Sequence, residues 1–173
     1  MAQRALVDFA VSWMEAHRGG TDAAPTATVR PLGDFDREEW LRLRRVLWPH
    51  HDPTELDAEA REIASHLETT PVFVAERPDG GLCGMVEVAI RREAIGCTTD
   101  RVGYLEGWFV DPAWRLRGVG GLLVEQAEAW ARAQGCTEMA SDMTPGYPAS
   151  PGAHQALGYR DVKHTIHFRK PLV

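Results

Sequence analysis

The feature that most constrains this chain is a seven-residue loop of glycines and arginines, Arg115-Leu116-Arg117-Gly118-Val119-Gly120-Gly121. The apolar segment 102–110 precedes the loop, and residues 119–134 follow it with apolar side chains at helical spacing. A turn from a strand into a helix leaves backbone N–H groups unpaired, and together with the helix dipole these attract an anion. Glycine omits the Cβ atom that would hold a phosphate away from the backbone, and the arginines offset its charge. The loop predicts a pyrophosphate site, although a tight turn with solvent-facing arginines would use the same residues.

Two common nucleotide-binding loops differ from this one. A P-loop ends in Lys followed by Ser or Thr, which this loop lacks. A dinucleotide-binding loop has the spacing Gly-x-Gly-x-x-Gly and is followed about 20 residues later by an acidic ribose ligand, and these glycines do not fit that spacing. We therefore exclude a P-loop NTPase and a Rossmann-type dinucleotide site.

The rest of the chain alternates predicted strands and helices. Apolar alternation and turn residues predict strands at 28–32, 72–76, 82–90, 102–110, 137–141 and 159–168, the fifth of them buried. Helical spacing predicts a helix that Asp34 or Asp36 caps and Pro49 ends, and further helices at 54–68, 119–134 and 150–157. The order β-αα-β-β-β-α-β-α-β, without an internal repeat, predicts an α/β fold.

The N-terminal segment is expected to be separate from the main domain. Residues 3–17 have the apolar spacing of an amphipathic helix, and residues 19–25 have the small residues and proline of a flexible linker. We therefore divide the chain into an N-terminal helix and linker, 1–25, and one domain, 26–173. The helix would either dock on the domain or a partner subunit, or form a disordered extension.

Composition and charge limit the cellular location and the kinds of partner that are expected for this chain. The 173 residues carry a formal net charge of −6, which disfavours a nucleic-acid partner and suits a small cationic substrate. Because no signal peptide or membrane-length apolar run is evident, we expect a soluble, cytoplasmic protein without membrane contact. Its three cysteines are widely spaced and are expected to be reduced.

Several motifs together resemble the GNAT acetyltransferase superfamily. These are Arg-x-x-Gly-x-Gly after an apolar strand, Val110-Asp111-Pro112 between them, and Leu157-Gly158-Tyr159 near the C-terminus, and the resemblance covers residues 28–170. It implies the GNAT (acyl-CoA N-acyltransferase) fold, with a central mixed, mostly antiparallel sheet flanked by helices, and acetyl-CoA as cosubstrate. We also expect a homodimer, because the last strand alternates up to Phe168 and small GNAT domains often pair through such edges.

Four further stretches look like the aminoglycoside 6'-N-acetyltransferases. They are Leu47-Trp48-Pro49, residues 105–110, residues 138–142 and residues 154–159. The resemblance implies transfer of an acetyl group to the 6'-amine of an aminoglycoside antibiotic. The alternatives are an N-acetyltransferase for another amine, such as a polyamine, a metabolite or a protein, and a non-catalytic acyl-CoA-binding module.

Acetyl transfer to an amine needs a group that takes the proton of the attacking nitrogen. Glu106 is the first candidate, because it lies on the strand that leads to the glycine loop. Strand alternation predicts that Glu106 shares a face with Trp108 and lies opposite Leu105 and Gly107. A surface or core-edge glutamate is the alternative.

The resemblance assigns further roles at the cleft. Asp142 would contact the substrate and is a second candidate for the base, although an aspartate before Thr144-Pro145-Gly146 also suits a turn. Trp48 would stack on the sugar rings, with core packing of the indole as the alternative. His154 stands where many GNAT enzymes carry a tyrosine that protonates the departing thiolate, and a structural histidine is the alternative.

The resemblance also implies which residues bind acetyl-CoA. Backbone amides of residues 108–110 would pair with the pantetheine arm and polarise the thioester carbonyl. The predicted CoA-binding residues are Trp108, Phe109, Val110, Arg115, Arg117, Gly118, Val119, Gly120, Gly121 and Tyr147. No metal is expected, because neither His50-His51-Asp52 nor His164-x-x-His167 has the spacing of a closed zinc site.

The chain departs from the family at several substrate and cofactor positions. Tyr147 replaces the asparagine that usually contacts CoA, and Lys163 stands where related enzymes carry an acidic residue. Near Arg91-Arg92-Glu93-Ala94 an expected aromatic contact is missing, and these arginines and Arg101 would reshape the cationic site. The loop 144–152 is either a flap over the cleft or a stiff surface connection.

Overall fold

A five-stranded sheet organises the part of the chain that the structure, a computed structural model, describes: residues 27–143, 146–163 and 169–171. The strands lie side by side in chain order; neighbours from the first to the fourth are antiparallel, and the last pair is parallel. They are β1 (Thr28–Pro31), β2 (Val72–Glu76), β3 (Leu82–Arg91), β4 (Val102–Val110) and β5 (Glu138–Ser141). The predicted mixed, mostly antiparallel sheet is confirmed.

Four α-helices accompany this sheet within the described residues. They are α1 (Arg37–Leu47), α2 (Pro53–Ala64), α3 (Val119–Ala133) and α4 (Ser150–Ala156). Asp52 caps α2 by accepting hydrogen bonds from the backbone N–H groups of Thr54 and Glu55. None of the described helices has the length and apolar character needed to cross a bilayer.

The sheet carries a hydrophobic core on each face. Successive side chains of a strand point to opposite faces, so Val72 and Val74 of β2 pack in one core while Phe73 and Ala75 pack in the other. The first core includes buried residues of α1, and the second includes the buried face of α3. We call these two sides the α1 face and the α3 face.

A β-bulge interrupts β4 at Glu106. Gly107 lies opposite Glu87 of β3 and Leu105 lies opposite Val88, so Glu106 is an extra residue without a partner on β3. Such a bulge re-aims side chains locally and breaks the simple alternation of a strand.

The bulge changes which face each neighbouring side chain occupies. Gly107 lies against Trp48 on the α1 face, whereas Trp108 packs with the core of the α3 face. Glu106 bonds to Arg91 on the α1 face, and Leu105 belongs to the core of the opposite face. The prediction that Glu106 shares a face with Trp108 and opposes Gly107 was therefore wrong, and its opposition to Leu105 is confirmed.

Three predicted elements differ from those observed. Helix α2 ends at Ala64 rather than near residue 68, because residues 65–70 form turns in which Thr69 and Thr70 donate to the carbonyl of His66. Strand β5 is half-buried rather than buried. Residues 159–163 are not in a strand, and residues 164–168 lie outside the described residues, as do the helix and the linker predicted over 1–25.

Candidate active site

A groove opens where β4 and β5 separate. Their pairing ends at Leu105 and Ser141, because β5 stops there while β4 continues to Val110. In the described part of the chain, residues 106–110 therefore have no strand beside them on the β5 side. Unpaired strand N–H and C=O groups bind extended chains through main-chain hydrogen bonds. The groove thus suits an extended ligand that carries amide groups.

The glycine loop closes one end of this groove. Gly118 precedes α3 with a φ of 82°, in the left-handed region that glycine adopts without strain. In the part of the chain that the structure describes, no side chain caps the start of α3, and its first turn contains no acidic residue. The N–H groups of this turn are therefore available to an anion, as the sequence predicted.

The two loop arginines have different contacts. Nε of Arg115 donates to the carbonyl oxygen of Val110 at 2.9 Å, which ties the loop to the end of β4. The guanidinium of Arg117 lies over the ring of Trp114, 5.2 Å from its centroid. Both arginines are exposed, so each leaves positive charge beside the start of α3.

Trp108 connects the loop to the groove. A Cβ atom on Gly120 would lie 3.0 Å from Cζ2 of this indole, so Gly120 is needed for ring packing as well as for clearance around an anion. The buried Nε1 of Trp108 has no hydrogen-bond acceptor among the described residues. A buried donor without an acceptor costs ~1–3 kcal/mol, so a ligand or water oxygen is expected at this atom.

Glu106 is held by an arginine. Arg91 donates from Nε and Nη2 to the two carboxylate oxygens of Glu106, at 2.9 and 2.5 Å. The guanidinium also lies 3.4 Å from the ring centroid of Tyr104. Arg91 therefore occupies both oxygens of the first candidate base.

Asp142 lies on the same side of the groove as Glu106, because both carboxylates are linked to Tyr104. The hydroxyl of Tyr104 donates to Oδ1 of Asp142 at 2.7 Å. Burial, and then the hydrogen bond to Asp142, raise the pKa of Tyr104 well above its usual value, so the phenol stays protonated as the donor. Sequence reasoning missed Tyr104, although its place two residues before Glu106 on β4 was a usable signal.

Trp48 lies at the end of α1, against the bulge. A Cβ atom on Gly107 would lie 2.7 Å from Cη2 of Trp48, so the indole packs directly on the β4 backbone. The ring is half-buried and stacks with His51, with ring centroids 6.3 Å apart. The sequence offered core packing and sugar stacking as alternatives; one part of the indole packs against the protein, and another part is exposed.

A buried ion pair, Arg44 with Glu87, packs against the ring of Trp48. Arg44 lies over its ring at 4.7 Å and donates to both oxygens of Glu87 at 2.6 and 2.5 Å. The two charged side chains are 2% and 5% exposed. Burial raises the pKa of Glu87, and Arg44 opposes that shift. Nothing in the sequence pattern distinguished these residues from the surface charges of α1 and β3.

His154 lies on α4 and faces Ser141, the last paired residue of β5. Nδ1 is 2.9 Å from the carbonyl oxygen of Ser150, which only accepts, so Nδ1 carries the proton. Nε2 is 3.1 Å from Oγ of Ser141, and Ser141 in turn lies 3.5 Å from the carbonyl oxygen of Leu105. The ring also makes edge contacts with Trp108. The histidine thus adjoins the point where the groove opens.

Tyr147 ties the loop before α4 to the opposite wall. Its hydroxyl donates to the carbonyl oxygen of Leu47, the last residue of α1. The loop that holds Tyr147 therefore bridges the two sides of the groove near Trp48, which favours the flap over the surface connection. Residues 144–145 of that loop lie outside the described residues.

Two further departures from the family, Arg101 and Lys163, make no hydrogen bond or ion pair to Glu106 or Asp142 among the described residues. Nε of Arg101 donates to the carbonyl oxygen of Gln134 after α3, so the suggested role of Arg101 at the cationic site is wrong. Lys163 is exposed. A cavity of about 430 Å³ adjoins β5 and α4; its lining includes Asp142 and His154 but not Glu106. This cavity is therefore adjacent to the groove rather than identical with it.

The part of the chain that holds the groove and the glycine loop matches a known protein family. The model of the acetyltransferase (GNAT) family matches residues 37–159, from the start of α1 to just beyond α4. The chain belongs to the GNAT family of acetyltransferases. As a member, it is an acetyl-CoA-dependent N-acetyltransferase, which confirms the predicted family, fold and enzyme class.

This GNAT enzyme is similar to curated proteins that share one name. It is 42% identical to aminoglycoside N(6')-acetyltransferase type 1 of Klebsiella aerogenes over 153 residues, which cover 87% of this chain and 99% of that protein. It is 36% identical to the protein of that name from Stenotrophomonas maltophilia, over 86% of this chain and 96% of the relative. Both similarities extend over nearly the whole of the relatives.

Solved structures of this group resemble the fold closely. AAC(6')-Iy in complex with the bisubstrate analogue CoA-S-monomethyl-acetylneamine superposes with a TM-score of 0.75 at 35% identity, covering 84% of this chain and 99% of that one. AAC(6')-Ih from Acinetobacter baumannii has a TM-score of 0.74 at 33% identity, with coverage of 84% and 99%. The GNAT enzyme therefore shares its architecture with proteins studied with CoA-containing ligands.

The structure brings most of the predicted site residues together. Glu106, Asp142, Trp48 and Tyr147 border one end of the groove, and Trp108 joins them to the glycine loop. Among the described residues, no three His, Cys, Asp or Glu side chains come close enough to hold a metal ion.

Proposed function

We propose that this GNAT enzyme transfers the acetyl group of acetyl-CoA to the 6'-amine of aminoglycoside antibiotics and so confers resistance to them. The observation that carries the proposal is the pair of carboxylates, Glu106 and Asp142, beside the half-buried Trp48 at the mouth of the groove. Aminoglycosides are cationic sugars, and carboxylates with an indole face match their ammonium groups and ring surfaces. The relatives that carry this activity in their names support the same substrate.

The proposed acetyl-CoA site is the groove and the glycine loop. The diphosphate of CoA would accept hydrogen bonds from the N–H groups at residues 118–121, with Arg115 and Arg117 beside it. The pantetheine amides would pair with the backbone of residues 108–110, which no described strand pairs on the β5 side. The uncapped start of α3 and the unsatisfied Nε1 of Trp108 support this placement. The thioester would then lie near the bulge, beside Glu106.

At the amine, we propose different roles for the two carboxylates. Among the described residues, Asp142 accepts one hydrogen bond, at Oδ1 from Tyr104, and its Oδ2 keeps free lone pairs. Both oxygens of Glu106 are bound by Arg91. Asp142 is therefore the better proton acceptor, directly or through one water, and Glu106 positions the ammonium.

At the leaving group, His154 would supply the proton. The new bond joins the amine nitrogen to the acetyl carbon as the carbon–sulfur bond breaks, so the amine loses one proton and the thiolate gains one. Because Nδ1 of His154 is held by the Ser150 carbonyl, only Nε2 is free to exchange a proton, and Nε2 faces Ser141. Protonated His154 would donate from Nε2 to Oγ of Ser141 while the Ser141 hydroxyl passes its own proton to the thiolate, which leaves neutral His154 and the free thiol of CoA.

The assembly and location of the enzyme belong to the same proposal. We propose that the enzyme is a homodimer in the cytoplasm. Each chain would consist of an N-terminal segment, residues 1–25, and the acetyltransferase domain, residues 26–173. The edge of β5 that no described strand pairs supports the dimer, because an open edge invites pairing with another strand. Acetyl-CoA as cosubstrate supports the cytoplasm.

Mass measurement after incubation with acetyl-CoA and kanamycin, tobramycin or amikacin tests the function. One acetyl group on the drug is expected, located at the 6' nitrogen by NMR, and bacteria expressing the chain should tolerate higher drug concentrations. Asp142→Asn should lose most of the turnover while still binding acetyl-CoA. No acetylation of any drug would refute the proposal.

A second candidate substrate is a less highly charged primary amine, such as a polyamine fragment or a metabolite. The observation that favours it is the Arg91 guanidinium already bound to Glu106, which reduces the negative charge of the site. Thiol release from acetyl-CoA in the presence of spermidine or simple monoamines, measured beside kanamycin, separates the two substrates.

A further inference from the structure

We propose that Arg91 weakens the binding of polycationic amines by competing with the substrate for Glu106. This inference rests on the proposed function, since it concerns the same cationic-substrate site. Arg91 is the last residue of β3, and its guanidinium binds both oxygens of Glu106 at 2.9 and 2.5 Å. An ammonium that approaches Glu106 therefore meets a carboxylate whose two oxygens already have cationic donors.

The position of Arg91 is fixed from two sides. Besides the bidentate contact to Glu106, the guanidinium lies 3.4 Å from the ring centroid of Tyr104. Bidentate pairing and stacking on an aromatic face are the two interactions in which arginine outperforms lysine. The hydrogen bonds to Glu106 raise the pKa of Arg91, so the group stays charged at every pH at which the enzyme would work.

The same arginine affects the second carboxylate. The ring beneath Arg91 belongs to the tyrosine that donates to Asp142, so one guanidinium lies near both acidic groups. The formal charge of Glu106, Asp142 and Arg91 together is −1, whereas the two carboxylates alone would give −2. A site of this charge attracts one ammonium well and several ammonium groups less well.

The pair is also accessible enough to exchange. The side chains of Arg91 and Glu106 are 43% and 34% exposed, so water already reaches both groups. An exposed pair of this kind is typically weak, so a bound ammonium readily replaces the guanidinium at Glu106. Arg91 therefore raises the substrate concentration that the enzyme needs without blocking turnover.

Removing the charge of Arg91 tests the inference through the split between KM and kcat. Arg91→Met should lower KM for kanamycin by about two- to fivefold, the effect expected of a partly exposed charge pair, while kcat changes less. Its KM should rise more steeply with added salt than that of the unaltered enzyme, because the site is then more negative. Arg91→Lys retains the charge and should retain most of the high KM.

A neighbouring arginine provides the matched control. Arg92 is exposed and has no ion pair among the described residues, so Arg92→Met makes the same change in net charge away from Glu106. The KM of Arg92→Met should stay within the error of the unaltered enzyme. An equal fall in KM for both variants, or a rise in KM for Arg91→Met, overturns the inference.

Binding measurements separate this inference from the proposed function. If the unaltered enzyme acetylates no aminoglycoside, the proposed function fails, and calorimetric titration with kanamycin still compares the variants. A Kd about two- to fivefold lower for Arg91→Met than for Arg92→Met supports competition at Glu106 without any turnover. Equal Kd values, or no binding to any of these proteins, refute it.

Discussion

The indole of Trp48 covers Gly107 so closely that a Cβ atom on Gly107 would lie 2.7 Å from Cη2. The contact joins the end of α1 to the bulge of β4, next to Glu106. A residue with any side chain at 107 would push the indole away from the groove. The position of a proposed substrate-binding surface therefore depends on the absence of one carbon atom.

Gly107→Ala is expected to displace Trp48 and weaken amine binding. The added methyl group should raise KM for kanamycin more than KM for acetyl-CoA, and should cost about 1–3 kcal/mol of stability as an overpacked site. Steady-state kinetics with each substrate varied, together with urea unfolding, measure both effects. Gly152→Ala is the control, because no atom of the described residues lies within 4 Å of a Cβ atom there; equal changes in the two variants would contradict the prediction.

The buried pair of Arg44 and Glu87 should be costly to break. Glu87→Gln leaves a guanidinium that is 2% exposed without its main anionic partner, and a loss of about 3–5 kcal/mol is expected in urea unfolding. Glu59, the other anionic partner of Arg44, has a side chain that is 56% exposed. Glu59→Gln should therefore cost less than ~1 kcal/mol.

Replacing both buried charges tests why that loss occurs. A double variant with leucine at positions 44 and 87 should recover much of the stability lost in Glu87→Gln, because no uncompensated charge is left inside. Trp48 should then lose the cation over its ring, and KM for the amine should rise although the protein is stable. A normal KM in a well-folded double variant would show that the pair does not position Trp48.

His154 should act at the leaving group rather than in binding. His154→Gln is expected to lower kcat by about 10²-fold or more with little change in KM for acetyl-CoA, and Ser141→Ala should lower kcat in the same direction. Thiol release measured at saturating acetyl-CoA gives both values. Gln155→Ala, the exposed neighbour on α4, is the control, and a kcat of His154→Gln close to that of Gln155→Ala would leave the histidine with a structural role only.

Acid should weaken the contact between Asp36 and Arg30. Burial by itself would raise the pKa of Asp36, but the hydrogen bonds from Arg30 and from the N–H of Gly33 outweigh it and hold the pKa below its usual value. A lowered folded-state pKa contributes stability above the unfolded value of 3.8, and that contribution is lost as pH falls through the folded value.

Urea unfolding of Asp36→Asn measured from pH 7 down to pH 3 checks this sign. The variant should be less stable than the unaltered protein near pH 7, and the difference should shrink as the pH falls below 4. Asp34 begins the 3-10 turn that Asp36 ends, Asp34–Asp36, and has no ion pair among the described residues, so Asp34→Asn should show no such convergence. A difference that grows towards acid would contradict the assigned pKa direction.

The sequence by itself determined the fold class, the family and the strand-to-helix turn at the glycine loop, where the anion site stays a prediction. These follow from local features: strand and helix periodicity, a glycine at 118 that starts α3 with positive φ, and motifs held at fixed spacing. Local chemistry specifies them because the backbone conformation of a turn or a helix start depends on only a few neighbouring residues.

Only the tertiary structure decided how the groups of the site act on one another. The bulge at Glu106 places Trp108 on the sheet face opposite to Glu106, whereas alternation predicted one shared face, because one unpaired residue shifts the orientation of the side chains that follow it. Arg91 lies 15 residues from Glu106 in the chain, and Arg44 lies 43 residues from Glu87. Charges this far apart in sequence find their partners through strand pairing and helix packing, and sequence periodicity carries no information about that pairing.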